Sequence, residues 1–93
     1  MKHLTHAAAS EVAQAKVGEL SLEAGEQFEL LRGRTVETER GWVFFYNTAE
    51  FVRTGNPLCA LAGNGPIFVS MTGNVHVLPS FVPWQQALAL LVE

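Results

Sequence analysis

The sequence contains no aspartate and only one cysteine. Its nine acidic residues are all glutamates, and against six lysines and arginines they give a formal net charge of −3. That charge offers little attraction to the phosphate backbone of a nucleic acid, which proteins bind through basic patches. Cys59 has no cysteine partner in the chain, so no intramolecular disulfide can form. We therefore expect no nucleic-acid partner and a core held together by packing alone.

Long apolar runs are also missing. None approaches the roughly 20 residues that a membrane-spanning helix requires, and residues 1–16 are too polar for the apolar segment of a signal peptide. We expect no membrane partner and a cytoplasmic location. A chain of 93 residues has room for one hydrophobic core, which predicts a single domain over residues 1–93.

Residues that could carry metal or nucleophilic chemistry are few and scattered. The histidines are His3, His6 and His76, and none stands at zinc-ligand spacing from Cys59. Cys59 lies in an apolar run, which is more typical of a buried thiol than of an activated nucleophile. The glycines do not form a phosphate-binding pattern ahead of a helix. The sequence predicts no metal and no cofactor.

Two glutamates have the spacing of an acid–base pair. Glu37 and Glu39 are two residues apart in a predicted strand, which puts both carboxylates on one face about 7 Å apart. Such pairs catalyse reactions where burial separates their pKa values. The polar neighbours Thr35, Thr38 and Arg40 favour an exposed strand end instead. We interpret the pair as a charged contact surface and predict that the protein is not an enzyme.

Residues 41–47, Gly-Trp-Val-Phe-Phe-Tyr-Asn, predict a central strand. Alternation in a strand places Trp42, Phe44 and Tyr46 on one face. Val43 and Phe45 then lie on the other face. Because both faces are apolar, both must be covered.

The other elements follow from capping, turn and periodicity signals. The predicted order begins with a helix from about residue 5 to 17, ended by Gly18, and a strand over 28–38 that Gly33 allows to form two shorter pieces. The central strand follows, then a helical turn over 48–55, strands over 67–71 and 75–78, and a last helix after Pro83. This order predicts an α+β fold. We expect a small, largely antiparallel sheet of about four strands, with the N-terminal and the C-terminal helix packed on one of its faces.

Three segments together resemble the YrhB-like family, also called immunity protein 35. They are residues 41–47, residues 61–67 (Leu-Ala-Gly-Asn-Gly-Pro-Ile) and residues 72–75 (Thr-Gly-Asn-Val), in the order and with the spacing typical of the family. The resemblance implies a cytoplasmic bacterial immunity protein that binds a cognate polymorphic toxin and neutralises it by occlusion, as part of bacterial competition. It supplies no catalytic residues.

Partner contact is expected on exposed charged or aromatic groups that a rigid sheet positions. The expected partner-binding residues are Glu37, Glu39 and Arg40 at the first hairpin, Glu50, Phe51 and Arg53 on the helical turn, and Asn56 in the loop that follows.

Two alternatives stay open. One is a small-ligand-binding domain without catalysis, in which Trp42 or Tyr46 and residues 63–66 line a pocket. The other concerns the strand at residues 75–78. If it is an exposed edge, it could pair with its copy in a homodimer or with a strand of the toxin.

Overall fold

The computed structural model describes residues 3–61 and 63–92. The residues outside this description are Met1, Lys2, Ala62 and Glu93, of which Ala62 belongs to the 61–67 segment that carries the family resemblance. The elements are α1 (His6–Ala24), β1 (Phe28–Leu30), β2 (Val36–Thr38), β3 (Gly41–Phe44), β4 (Tyr46–Thr48), α2 (Ala49–Thr54), β5 (Ile67–Ser70), β6 (Val75–Val77) and α3 (Trp84–Leu90), with 3₁₀ turns at Arg32–Arg34 and Pro57–Cys59. The predicted α+β fold with a helix near each end is confirmed.

Residues 28–48 form one long antiparallel hairpin that is divided between two sheets. β1 pairs with β4 in a two-stranded sheet, and β2 pairs with β3 in the larger sheet. The division lies at the 3₁₀ turn Arg32–Arg34 on one arm and at Phe45 on the other. At this point the Leu31 amide still donates to the Phe45 carbonyl at 2.7 Å. The first strand does form the two shorter pieces that Gly33 allows, whereas the predicted central strand is in fact two strands.

The larger sheet has the order β2-β3-β5-β6, and all of its neighbours are antiparallel. Every residue of β3 and β5 is buried. Trp42 and Phe44 pack with α1 on one face, whereas Val43 and Phe68 pack with α3 on the other. The expectation that both helices share one face is therefore wrong, because each apolar face of β3 and β5 requires its own cover.

Helix α1 is longer than the sequence predicts. Thr5, rather than the other candidate cap Ser10, begins the helix by accepting a hydrogen bond from the Ala8 amide at 3.1 Å. Gly18 lies inside the helix, and the helix ends at Gly25, whose φ of 67° is the left-handed conformation of a helix C-cap. The last turn is held by Ser21, whose hydroxyl bonds to the Val17 carbonyl and to the Phe28 amide. This tertiary link to β1 outweighs the weak helix propensity of Gly18.

Two glycines allow the backbone to pack closely around the larger sheet. Gly41 begins β3 with a φ of 150°, and a side chain there would collide with the backbone of Val69 and Ser70. Gly65 lies directly against the Leu78 carbonyl, so that a β-carbon would collide with it. Both positions therefore require the absence of a side chain.

Gly18 and Gly65 allow a matched test of this packing. A β-carbon at Gly18 meets no atom within 4 Å, so Gly18→Ala should raise the free energy of unfolding by about 0.5–1 kcal/mol through helix propensity. Gly65→Ala should lower it by about 1–3 kcal/mol, as expected for an overpacked site. Urea unfolding followed by tryptophan fluorescence measures both. A loss of stability in Gly18→Ala would contradict a continuous helix through this residue.

Candidate partner-binding surfaces

The expected partner-binding residues lie on two separate surfaces. We call the group at the β2–β3 turn, Glu37, Glu39 and Arg40, the hairpin surface. We call the group on and after α2, consisting of Glu50, Phe51, Arg53 and Asn56, the α2 surface. Residues 41–48 run between them as β3 and β4, an extended path of roughly 26 Å at the usual strand rise. The structure therefore does not bring the seven residues into one cluster.

On the hairpin surface, Arg40 has an internal structural role. Its guanidinium donates to the carbonyl oxygens of Leu88 and Leu91, the second at 2.8 Å, and lies 5.9 Å from the centroid of the Phe68 ring. Helix α3 has no basic residue in its last turn, so Arg40 supplies the positive charge that a helix C-terminus favours. Sequence spacing gives no sign of these contacts, because 48 and 51 residues separate Arg40 from Leu88 and Leu91.

The two glutamates of the hairpin surface differ in their surroundings. Glu39 lies exposed in the turn, whereas Glu37 is opposite Trp42 in the strand register. Opposed residues of an antiparallel pair share a sheet face, so Glu37 is on the α1 face. There it lines a cavity of about 300 Å³ together with Trp42 and three residues from the neighbouring elements: His6, Arg32 and Thr35.

The α2 surface rests on a short, well-capped helix. Thr48 begins α2 by accepting a hydrogen bond from the Phe51 amide at 3.0 Å, and Gly55 ends it with a φ of 71°. An N-cap residue type at position 48 and a glycine at position 55 are the sequence signals of such a short helix. The Thr48 hydroxyl also donates to the Cys59 carbonyl at 2.7 Å, which ties α2 to the following 3₁₀ turn. Glu50 and Arg53 are exposed on this helix, whereas Phe51 is half-buried.

Leu58 is the feature of the α2 surface that sequence reasoning missed. It is 93% exposed on the 3₁₀ turn Pro57–Cys59. Asn56 caps that turn by accepting a hydrogen bond from the Leu58 amide at 3.0 Å. The Asn-Pro pair indicates only that α2 cannot continue, and an apolar run does not reveal which of its members faces solvent. An exposed apolar residue on an ordered turn with charged neighbours has the anatomy of a binding anchor and its polar rim.

Cys59, next to this anchor, has the surroundings of an unreactive thiol. Burial raises the pKa of the Cys59 thiol. The negative charge of Glu50 and a hydrogen bond between Cys59 and Glu50 raise that pKa further, whereas the positive charge of Arg53 lowers it by a smaller amount. A raised pKa keeps the thiol protonated near neutral pH, whereas a nucleophile requires the thiolate. The site therefore favours the structural interpretation of Cys59.

The small-ligand pocket suggested by the sequence is not assembled as expected. Tyr46 is only 7% exposed and packs against Phe28, with 5.6 Å between the ring centroids. The residue 63–66 loop lies directly over its backbone, where the Asn64 side chain donates to the Tyr46 carbonyl at 3.0 Å. Trp42 lines the separate cavity beside Glu37.

Residues 3–61 and 63–92 contain no group of three or more histidine, cysteine or acidic side chains able to hold a metal ion. No helix within these residues has the length and apolar character needed to cross a bilayer.

A second apolar surface lies between α3 and β6. Its groove of about 340 Å³ is bordered by Phe81 and Leu90, which are 84% and 71% exposed. β6 forms one edge of the larger sheet, as the sequence suggested, and β2 forms the other. We call this region the α3 groove.

Comparisons with known proteins agree with the family resemblance. The family model described as immunity protein 35 matches residues 8–89. The uncharacterized protein YrhB of Escherichia coli K12 is 34% identical over 50 residues, which are 53% of this chain and 53% of that protein. The match thus spans about half the length of this curated relative. No solved structure matches the chain.

The internal role of Arg40 leads to a stability prediction. Arg40→Leu should lower the free energy of unfolding by about 1–2 kcal/mol, because the half-buried carbonyl of Leu88 loses its charged donor. Arg53→Leu is the matched control, since Arg53 is exposed and makes no side-chain hydrogen bond within the described residues. It should change stability by less than about 0.5 kcal/mol. Equal effects of the two substitutions in urea unfolding would contradict the structural role.

Proposed function

Because the chain belongs to the immunity protein 35 family, we propose that it binds a cognate toxin domain in the cytoplasm and neutralises it by covering the toxin's functional surface. The observation that carries this proposal is the family match over residues 8–89, which includes every strand of both sheets. The match thus extends over the core and both candidate surfaces, rather than over a single motif.

Occlusion fits the chemistry of this chain better than modification of the toxin would. The only cysteine has a raised pKa, and Glu39 of the candidate carboxylate pair lies exposed in a turn. Binding alone is sufficient for neutralisation, provided that the interface is stable. Stable complexes bury about 800 Å² on each partner, an area that the exposed surface of this protein can supply.

We place the centre of the toxin contact at Leu58 on the α2 surface. An apolar side chain that is 93% exposed gains more from burial in a partner pocket than any charged neighbour does. The turn that presents it is ordered by the Asn56 cap and by the Thr48 bond to Cys59, so little conformational freedom is lost on binding. Glu50 and Arg53 then form a rim that selects the partner by charge.

Substitution of the anchor tests this placement. Leu58→Ala should weaken binding to the C-terminal toxin domain encoded by the neighbouring gene by about thirtyfold, the effect of losing a hot-spot residue. Phe81→Ala, in the α3 groove, is the matched control and should leave the affinity unchanged. Both residues are highly exposed, so neither change should alter stability. Titration calorimetry on the purified proteins measures the affinities.

The outcomes separate the function from the location of the contact. If the wild-type protein neither co-purifies with that toxin domain nor restores growth when the two are co-expressed, the proposed function fails. If Phe81→Ala weakens binding and Leu58→Ala does not, neutralisation stands but the contact lies at the α3 groove.

The hairpin surface gives a second test of the interface. Glu37 and Glu39 remain proposed contacts for a basic toxin surface, and their joint replacement by alanine should slow association severalfold and reduce its dependence on salt. The thermal midpoint should stay nearly unchanged, because both side chains are exposed. Stopped-flow association measurements at two salt concentrations provide the readout. A large loss of stability with unchanged binding would remove both residues from the contact.

A further inference from the structure

The strand β6 presents backbone groups along the outer edge of the larger sheet. Its only neighbour in that sheet is β5, and a bond from the Leu78 amide to the Pro66 carbonyl shows which positions face this neighbour. Hydrogen-bonded positions alternate along an antiparallel pair, so His76 also faces β5, whereas Val75 and Val77 direct their amides and carbonyls away from the sheet. Neither valine makes a backbone hydrogen bond within the described residues. The edge is therefore open to another strand.

The positions beyond the two valines do not extend this edge. On one side, the next position with the outward orientation is Pro79, which has no amide hydrogen to donate. On the other side, the Gly73 amide already bonds to the Ser70 carbonyl at 3.0 Å. The available donors are thus the two valines of β6, which lie on either side of His76.

The surface beside β6 is apolar. Residues of β6 and α3 line the α3 groove, and none of those in the described part of the chain is charged. From Thr54 to Val92 the sequence contains no lysine, arginine or acidic residue. The opposite edge strand, β2, has Glu37 at its centre, and a charge on an edge strand discourages pairing with another chain. β6 lacks this protection.

We propose that β6 pairs with β6 of a second copy of this chain, forming an antiparallel, two-fold symmetric dimer centred on His76. Residues 75–77, Val-His-Val, read the same in both directions, so each valine meets a valine and exchanges two hydrogen bonds with it. The α3 groove borders the same edge, so the two-fold axis brings the two grooves together. Phe81 and Leu90 are then removed from water.

Charge favours a second copy over the toxin as the occupant of this edge. Each copy carries a formal net charge of −3, so two copies associate most readily through a surface without charged side chains. The hairpin and α2 surfaces, proposed for the toxin, contain charged residues instead. The dimer leaves the α2 surface free, because α2 packs on β1 and β4.

The exposed apolar area is also appropriate for a dimer. An aromatic side chain buries about 150–250 Å², so Phe81 alone supplies about a fifth of the roughly 800 Å² that each partner buries in a stable complex. Leu90 and the backbone of β6 add to this area, and all of them belong to one continuous surface.

Sedimentation equilibrium of the isolated protein tests the dimer. The wild-type protein at micromolar concentration should have the mass of two chains. Leu90→Arg should weaken self-association about a hundredfold, because each dimer would bury the new charge twice. Leu58→Arg is the matched control, since it places the same charge at another highly exposed leucine, on the α2 surface. It should leave the dimer intact.

Amide hydrogen exchange locates the interface at β6. In the wild-type dimer the Val75 and Val77 amides should exchange slowly, because each donates to the other copy. In Leu90→Arg they should exchange at least about tenfold faster, whereas the His76 amide, which faces β5, should stay protected in both proteins. Unfolding of the variant would not give this pattern, because it would expose the His76 amide as well.

Three outcomes would overturn the proposal. The first is a wild-type protein that sediments as a single chain throughout the micromolar range. The second is a dimer that Leu90→Arg does not weaken, or one in which the Val75 and Val77 amides exchange freely, since either result places the interface elsewhere. The third is protection of these amides only after the toxin domain is added, which would make β6 a toxin-binding edge. The first two outcomes concern the isolated protein, so they are distinct from a failure of toxin neutralisation.

Discussion

The burial of β3 and β5 on both faces is the constraint on which the rest of the structure depends. Their side chains alternate between two apolar faces, so one helix cannot cover them. On one face, the small residues Ala9 and Ala13 allow α1 to pack close to the sheet. On the other face, α3 covers Val43 and Phe68. The position of Arg40 follows from this arrangement, because the hairpin turn and the end of α3 are brought together at one end of the sheet.

Features fixed by local chemistry were predictable from the sequence. Thr5, Thr48 and Gly55 act as the caps that their residue types predict, because a cap involves only neighbouring backbone groups. Features fixed by tertiary contacts were not predictable. Gly18 looks like a helix end until Ser21 is seen bonding to β1. The two apolar faces of residues 41–47 indicate that both sides of the sheet are covered, but which helix covers which face depends on how β3 and β5 pair, and the hydrophobic pattern does not specify that.

The candidate surfaces show the same distinction between features fixed by local chemistry and features fixed by tertiary contacts. Charged residues such as Glu50 and Arg53 are exposed as expected, because burying an unpaired charge is costly. Leu58 was missed, since an apolar residue in a short run is normally assumed to be buried, and only the Asn56-capped turn shows that it faces outward. The indole nitrogen of Trp42, which has no hydrogen-bond partner within the described residues, was missed for a related reason. The sequence shows that a buried indole requires a partner, but only the packed structure shows that its neighbours do not supply one.

The burial of β3 and β5 on both faces also determines which residues can be substituted, to alter partner recognition, without loss of the fold. Substitutions in β3 or β5 disturb packing on both sides of the sheet, so these strands are poor places to alter specificity. Leu58 and the hairpin glutamates contribute little to the core, because they lie on turns and at the edge strand β2. Exposed positions tolerate substitution at small cost in stability. Under the proposed function, these residues can therefore vary with the toxin surface while β3 and β5 continue to hold the turns that present them.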